Sequence, residues 1–195
     1  MSKKGELILI LGGARSGKSA FAEQLAAARS KVLFVATAQA LDGEMKRRIV
    51  AHRRKRPAAW TTLEEPVDVA AALEKQGGDF DTILLDCLTL WVSNLMLREK
   101  SETKAEVEIL AQAQRLVALC ARGKATWIVV TNEVGLGIVP PTKLGRRYRD
   151  LLGKVNQIFA ARADKVYLMV AGFALDVKAA GGKPFAELVR GGTKR

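Results

Sequence analysis

The sequence predicts an α/β fold, a mainly parallel sheet with helices on both faces. Three observations point there. Five short apolar runs lack the alternation of half-exposed strands, helical patterns fall between them, and the first run leads straight into a glycine-rich turn and a helix.

In order, Glu6–Leu11 reads as the first strand and Gly17–Arg29 as the helix after the turn. Val32–Ala36 is a second strand, followed by a basic helix at Gly43–Lys55. Pro66–Gln76 is helical, with Pro near its start and Gly77 just beyond its end. Thr82–Leu85 is the third strand run. A long helix, Glu102–Arg122, is opened by Thr103 with Glu106 three residues on and closed by Gly123. Thr126–Val130 follows as a strand. In Thr142–Ala163, Leu144, Tyr148, Leu151, Val155 and Phe159 recur at three- and four-residue steps and form one apolar stripe. Lys165–Val170 is the last strand, and Gly191–Arg195 reads as a frayed tail. Right-handed crossovers then place the functional loops at the carboxyl ends of the strands.

The 195 residues, 49% of them apolar, suit one nucleotide-binding domain over residues 1–195. One His and two Cys, Cys87 and Cys120, cannot complete an ordinary four-ligand zinc site within a chain. They suit a reduced setting. No run reaches the roughly 18 apolar residues a membrane helix needs. The amino-terminal run is too short for a signal peptide. The expectation is a cytoplasmic protein without stable membrane insertion. The net charge of +12 attracts polyanions, but without interleaved aromatics it is a weak case for nucleic acid.

Gly12-Gly13-Ala14-Arg15-Ser16-Gly17-Lys18-Ser19 matches G-x-x-x-x-G-K-[ST] in full. Its glycines let successive N–H groups turn toward phosphate oxygens, and the following helix adds its positive end. Lys18 reaches the β- and γ-phosphates of a bound nucleoside triphosphate, and the Ser19 hydroxyl holds Mg²⁺. An apolar strand runs in and an amphipathic helix runs out, as this P-loop mechanism requires. Asp86 ends the run Thr82-Ile83-Leu84-Leu85-Asp86, where a carboxylate would complete the metal site. A strand-end Asp capping a turn is the alternative.

The segment Glu44–Pro57 carries seven cations and His52, the single histidine. On a helix Met45, Ile49 and His52 share a face. One reading is a half-buried histidine packed against the sheet, with the cations merely solvated. The other makes His52 a nucleophile toward phosphorus. Flanking cations would then favour the neutral attacking imidazole and hold a triphosphate.

Four segments in order carry a resemblance over nearly the whole chain. The first is the phosphate loop, Leu11–Ser19. Ala36-Thr37-Ala38 leads next to Asp42-Gly43-Glu44-Met45, His52, Arg56-Pro57 and Trp60. Then come Asp86-Cys87-Leu88-Thr89-Leu90-Trp91-Val92-Ser93-Asn94-Leu95 and Val130-Thr131-Asn132-Glu133-Val134-Gly135-Leu136-Gly137-Ile138-Val139-Pro140. Together they resemble the bifunctional adenosylcobinamide kinase/adenosylcobinamide-phosphate guanylyltransferase family of cobalamin biosynthesis.

The resemblance implies a P-loop NTPase fold of RecA-like type and a homotrimer. It implies two reactions, phosphorylation of adenosylcobinamide by ATP or GTP and transfer of GMP from GTP onto the resulting phosphate. His52 matches the histidine that carries GMP, with the basic helix about 43–56 as an inserted active-site element and Lys18 as its catalytic companion. GTP contacts would fall on Gly12, Gly13, Ala14, Arg15, Ser16, Gly17, Lys18 and Ser19. They continue at Ala36, Thr37, Ala38, Arg53, Arg54, Lys55, Arg56, Glu64 and Asp86, with Glu65 the alternative to Glu64. Ser19 and Asp86 would hold Mg²⁺. Some relatives have a histidine pair where this chain has Ala51-His52. Glu133 could meet substrate, accept its proton, or form a turn. Two other readings stay open, a RecA-like nucleic-acid-binding ATPase and a small-molecule kinase that forms no covalent nucleotide.

Overall fold

The computed structural model describes residues 5–40 and 42–191, without the side chains of Arg48, Lys55, Val189 and Arg190. The expected tail falls outside these residues from position 192 onward. The chain runs β1 (Leu7–Gly12), α1 (Lys18–Ala27), β2 (Val32–Ala36), α2 (Gly43–Lys55), β3 (Thr61–Glu64), α3 (Val69–Gln76) and β4 (Thr82–Asp86). It continues as α4 (Leu88–Arg98), α5 (Glu102–Arg122), β5 (Thr126–Val130), α6 (Lys143–Arg162), β6 (Lys165–Val170), β7 (Phe173–Asp176) and α7 (Phe185–Gly191).

The seven strands form one sheet in the order β3-β2-β4-β5-β1-β6-β7, parallel except for β7. This is the expected α/β fold, a mainly parallel sheet with helices on both faces. Strands β2 and β5 are buried along their whole length, the physical counterpart of their unbroken apolar runs. Leu33, Val35, Leu85 and Val129 face a core closed by α3, α4, α5 and α6. Phe34, Leu84, Ile128 and Val130 face the other way, toward Ala22 and Ala26 of α1.

The five expected strands and five expected helices are all present. The structure adds four elements. β3 is a polar strand (Thr-Thr-Leu-Glu) at the sheet edge, where no second neighbour demands an apolar face. β7 returns from β6 through Ala171 and Gly172, both with positive φ, in a two-residue hairpin whose first residue carries no turn signature. α4 buries Leu88, Thr89, Trp91, Val92, Asn94, Leu95 and Met96, so it shows no polar face by which a helical period could be read. α7 is a short carboxyl-terminal helix.

Two helix starts also differ from expectation. α5 is capped by Ser101, whose hydroxyl accepts from the Lys104 N–H, rather than by Thr103, while Glu106 pairs with Lys154. α3 begins at Val69 rather than Pro66, because the Glu65 carboxylate accepts from the N–H groups of Val67 and Asp68 (both 2.9 Å) and holds a turn there.

One buried side chain joins three segments near the functional edge. Asn94 donates to the carbonyls of Thr37 (2.8 Å) and Pro66 (2.9 Å) from a single amide nitrogen. Asn94→Ala strands both carbonyls. It is expected to cost about 2–4 kcal/mol in urea unfolding; a loss under about 0.5 kcal/mol would mean that water replaces the amide.

Candidate functional site

The turn after β1 is built by its glycines. Gly12 (φ 153°) and Gly17 (φ 98°) occupy left-handed backbone. A Cβ at Gly12 would also lie 2.4 Å from the Met169 carbonyl oxygen. Arg15 sits at φ 58°. Gly17 caps α1 without a side-chain hydrogen bond, and the first turn carries no acid, so the free N–H groups and positive end of the helix face outward uncompensated. Lys18 folds back over the turn, donating to the Gly13 carbonyl at 2.5 Å and reaching the Ser16 hydroxyl at 3.5 Å. Only 7% of Lys18 is exposed. Burial lowers its pKa, while Cys87 and Asp86 act in the opposite direction.

Asp86 ends β4, in register with Ala36 on one side and Val130 on the other. Burial raises its carboxyl above the ordinary value. The charges of His52 and Arg56, the hydrogen bond from Ser19, and Lys18 pull the other way. The next residue is fixed by Thr37, whose hydroxyl donates to the Cys87 carbonyl (2.8 Å) and accepts from the Cys87 N–H (2.9 Å). The Asp86–Cys87 peptide is cis. Burial, followed by the adjacent Asp86, pushes the Cys87 thiol up to about 12, so it stays protonated and is not a nucleophile at neutral pH.

Ser19 and Asp86 are the residues that could hold Mg²⁺. They bring a hydroxyl and a carboxylate into hydrogen-bonding contact beside the phosphate turn, and Mg²⁺ takes few protein oxygens plus substrate phosphates. Among the described residues no cluster of three or more acidic, His or Cys side chains offers an alternative cage.

The basic helix α2 has the expected bounds and is capped by Asp42, which accepts from the Met45 N–H at 2.7 Å. Met45, Ile49 and His52 all line one cleft with the phosphate turn and Asp86, as the helical offsets require. His52 is exposed rather than half-buried against the sheet, and none of the described residues of α2 is buried. Two contacts hold its carboxyl end. Arg53 pairs with Glu64, and the Arg56 guanidinium lies 3.8 Å over the Phe34 ring, itself stacked 6.2 Å from Trp60. Burial lowers the Arg56 pKa, with Asp86 first among the groups opposing it. The Arg56 Nε is buried and has no hydrogen-bond partner among the described residues.

The cleft has a volume of about 770 Å³. It brings together Ala14, Arg15, Lys18, Ser19, Ala36, Ala38, His52, Arg53, Arg56, Glu64 and Asp86. Glu64 faces it, whereas Glu65 is committed to the turn before α3. Gly12, Gly13, Ser16 and Gly17 shape the turn without lining the cleft. Two further residues expected to contact nucleotide do not line the cleft. Thr37 is fully buried beneath the cleft, bonded to Cys87. Arg54 does not line it, because one residue past Arg53 turns about 100° around the helix. The Lys55 side chain lies outside the described ones.

The structure adds Lys46, Thr89, Leu90 and Asn132 to the lining. Thr89 and Leu90 follow Asp86 on the largely buried α4, and Asn132 lies just beyond β5, so strand order is what brings them to the cleft. The Glu133 carboxylate accepts from the Gly135 N–H at 2.7 Å and forms a turn. Among the described residues no helix is long and apolar enough to cross a membrane.

The family described as cobinamide kinase/cobinamide phosphate guanyltransferase matches residues 8–177. The chain is 46% identical over 176 residues to the bifunctional adenosylcobalamin biosynthesis protein CobP of Pseudomonas aeruginosa, covering 87% of this chain and 96% of that protein. It is 42% identical over 180 residues to the bifunctional adenosylcobalamin biosynthesis protein CobU of Escherichia coli, covering 88% and 99%. Among solved structures, a KaiC-like protein of Pyrococcus horikoshii is similar at TM-score 0.46 and 17% identity, over 85% of this chain and 71% of that one. The RadB recombinase is similar at TM-score 0.47 and 18% identity, over 85% and 74%.

The raised Asp86 pKa has a measurable consequence. A folded-state value above the unfolded 3.8 means that the folded protein loses stability as pH rises through it. Asp86→Asn is therefore expected to raise the Tm of the nucleotide-free protein at pH 7. The gain should shrink as pH falls toward 3.8, read by thermal melts across pH. The same variant should lose Mg²⁺-nucleotide affinity by calorimetry.

Proposed function

The chain belongs to the cobinamide kinase/cobinamide phosphate guanyltransferase family, and from that membership we propose that it catalyses both reactions. In the first, ATP or GTP phosphorylates adenosylcobinamide. In the second, GMP passes from GTP to His52 and then to adenosylcobinamide-phosphate, giving adenosylcobinamide-GDP. The observation that carries the reading is the common cleft, which His52 shares with Lys18, Ser19 and Asp86 although α2 lies far from both in sequence.

In the kinase step the phosphate turn and Lys18 orient the donor, and the substrate hydroxyl attacks the γ-phosphorus. Mg²⁺, held by Ser19 and Asp86, would neutralise charge on the phosphates. In the transfer step an imidazole nitrogen of His52 attacks the α-phosphorus of GTP. A P–N bond forms, the bond to the α,β-bridging oxygen breaks, and pyrophosphate leaves with the electron pair. Lys18, Arg53 and Arg56 counter the charge on the triphosphate. A phosphate oxygen of adenosylcobinamide-phosphate then displaces GMP and regenerates the imidazole.

Attack at α and at γ needs different placements of donor and helix. The absence of buried residues among those described in α2 supports a helix free to move between them. A homotrimer in the cytoplasm completes the proposal, on the family resemblance.

GTP labelled at the α-phosphate, with Mg²⁺, is expected to leave an acid-labile, base-stable label on the protein. His52→Ala should lower labelling and transfer by about 10⁴-fold or more while retaining kinase activity. Labelling that persists in the variant would remove His52 from the reaction. Label-free kinase activity in the wild type would point to a kinase alone, and hydrolysis stimulated by nucleic acid to a nucleic-acid-dependent ATPase.

A further inference from the structure

The carboxyl end of β5 presents a side chain with no role so far. Asn132 is pinned by its main chain. Its N–H donates to the Thr89 hydroxyl (2.8 Å), and its carbonyl accepts from the Asn156 amide (3.0 Å). Its neighbours are bonded to β1. The Thr131 N–H donates to the Ile10 carbonyl (2.9 Å) and the Glu133 N–H to that of Gly12 (3.0 Å). The extended chain is thereby held against the first glycine of the phosphate turn, while β4 on its other side carries Asp86.

The side chains diverge here. The Thr131 hydroxyl turns to Asn156 (2.8 Å) and the Glu133 carboxylate to Gly135 (2.7 Å). Asn132 lines the cleft, and its side-chain amide has no hydrogen-bond partner among the described residues. A polar group held rigidly from behind and left unbonded in front is arranged for a ligand.

Strand order indicates which atom it meets. His52 enters the cleft on the helix between β2 and β3, on one side of Asp86. Asn132 enters from β5, on the other side and next to β1. The two approach a cradled triphosphate from opposite flanks.

We propose that Asn132 is a catalytic residue of the phosphoryl-transfer step, its amide N–H donating to an oxygen of the transferred γ-phosphoryl group; this rests on the two-reaction reading above. In that step the substrate hydroxyl oxygen bonds to the γ-phosphorus. The bond to the β,γ-bridging oxygen breaks with its electron pair passing to the departing nucleoside diphosphate, and the hydroxyl proton goes to water. Charge spreads over the three equatorial oxygens, and a fixed neutral donor aimed at one of them is worth most at that moment. Guanylylation of His52 reacts at the α-phosphorus and does not call on it.

The test measures both activities in one sample of Asn132→Ala: phosphorylation of adenosylcobinamide, and guanylylation of the protein from α-labelled GTP. The ratio corrects for the amount of folded protein. The main-chain bonds of residue 132 survive the substitution. The kinase kcat is expected to fall about 100-fold relative to guanylylation, with donor KM changed far less. Asn132→Asp, which sets a carboxylate against the γ-phosphoryl, should lose at least as much. Equal loss of both activities, or an unchanged kinase kcat, would overturn the assignment while leaving the two-reaction reading intact. A wild-type protein lacking either activity would overturn that reading and the assignment with it.

Discussion

The site depends on the register of parallel strands. Across β3, β2, β4, β5 and β1, Glu64, Ala36, Asp86, Val130 and Ile10 stand in one hydrogen-bonded row. Glu64 and Asp86 stand in that row, and the phosphate turn, α2 and Asn132 follow it on the carboxyl side. A slip of one residue in β4 would swing Asp86 to the other face of the sheet and away from Ser19. The burial of these strands makes such a slip costly, so the apolar runs that form the core also align the polar tips.

The polar tips are held at an energetic disadvantage. Lys18, Asp86 and Arg56 are each shifted by burial against the charged form; Asp86 opposes the shift of both cations, and both oppose the shift of Asp86. Such a cluster favours an incoming polyanion with its cation, whose charges replace lost hydration. Phe34 and Trp60 add an aromatic wall that fixes the Arg56 guanidinium from behind. Below this level the contacts are conventional. Thr37, Asn94 and Thr89 tie loop carbonyls and amides together and keep the cleft floor rigid.

Above that floor, α2 is differently built. It contributes His52, Arg53 and the apolar pair Met45 and Ile49 to the cleft, yet it buries none of its described residues. At its carboxyl end it is held by an exposed ion pair, Arg53 to Glu64, and by the Arg56–Phe34 stack just past that end. Exposed ion pairs contribute little to stability. A rigid floor under a lightly held helix is the arrangement expected where one cleft serves attack at two different phosphorus atoms.

Much of this was legible in the residues. The phosphate turn could be read because its chemistry demands particular residues at fixed spacing, and β2, β5, β6 and α2 because burial or helical period marks them residue by residue. The face shared by Met45, Ile49 and His52 followed from 3.6-residue geometry alone. The rest was decided by non-local contacts. α4 was hidden because a helix surrounded by protein loses its polar stripe, β3 because an edge strand needs no apolar pattern, and the cap of α5 because Ser and Thr two residues apart offer the same hydroxyl. Glu64 and Glu65 are chemically identical; only pairing of β3 with β2 turns one to the cleft and leaves the other to a turn. Asn132 acquires its place from strands β1 and β4, distant in sequence and adjacent in the sheet, and no local pattern records that adjacency.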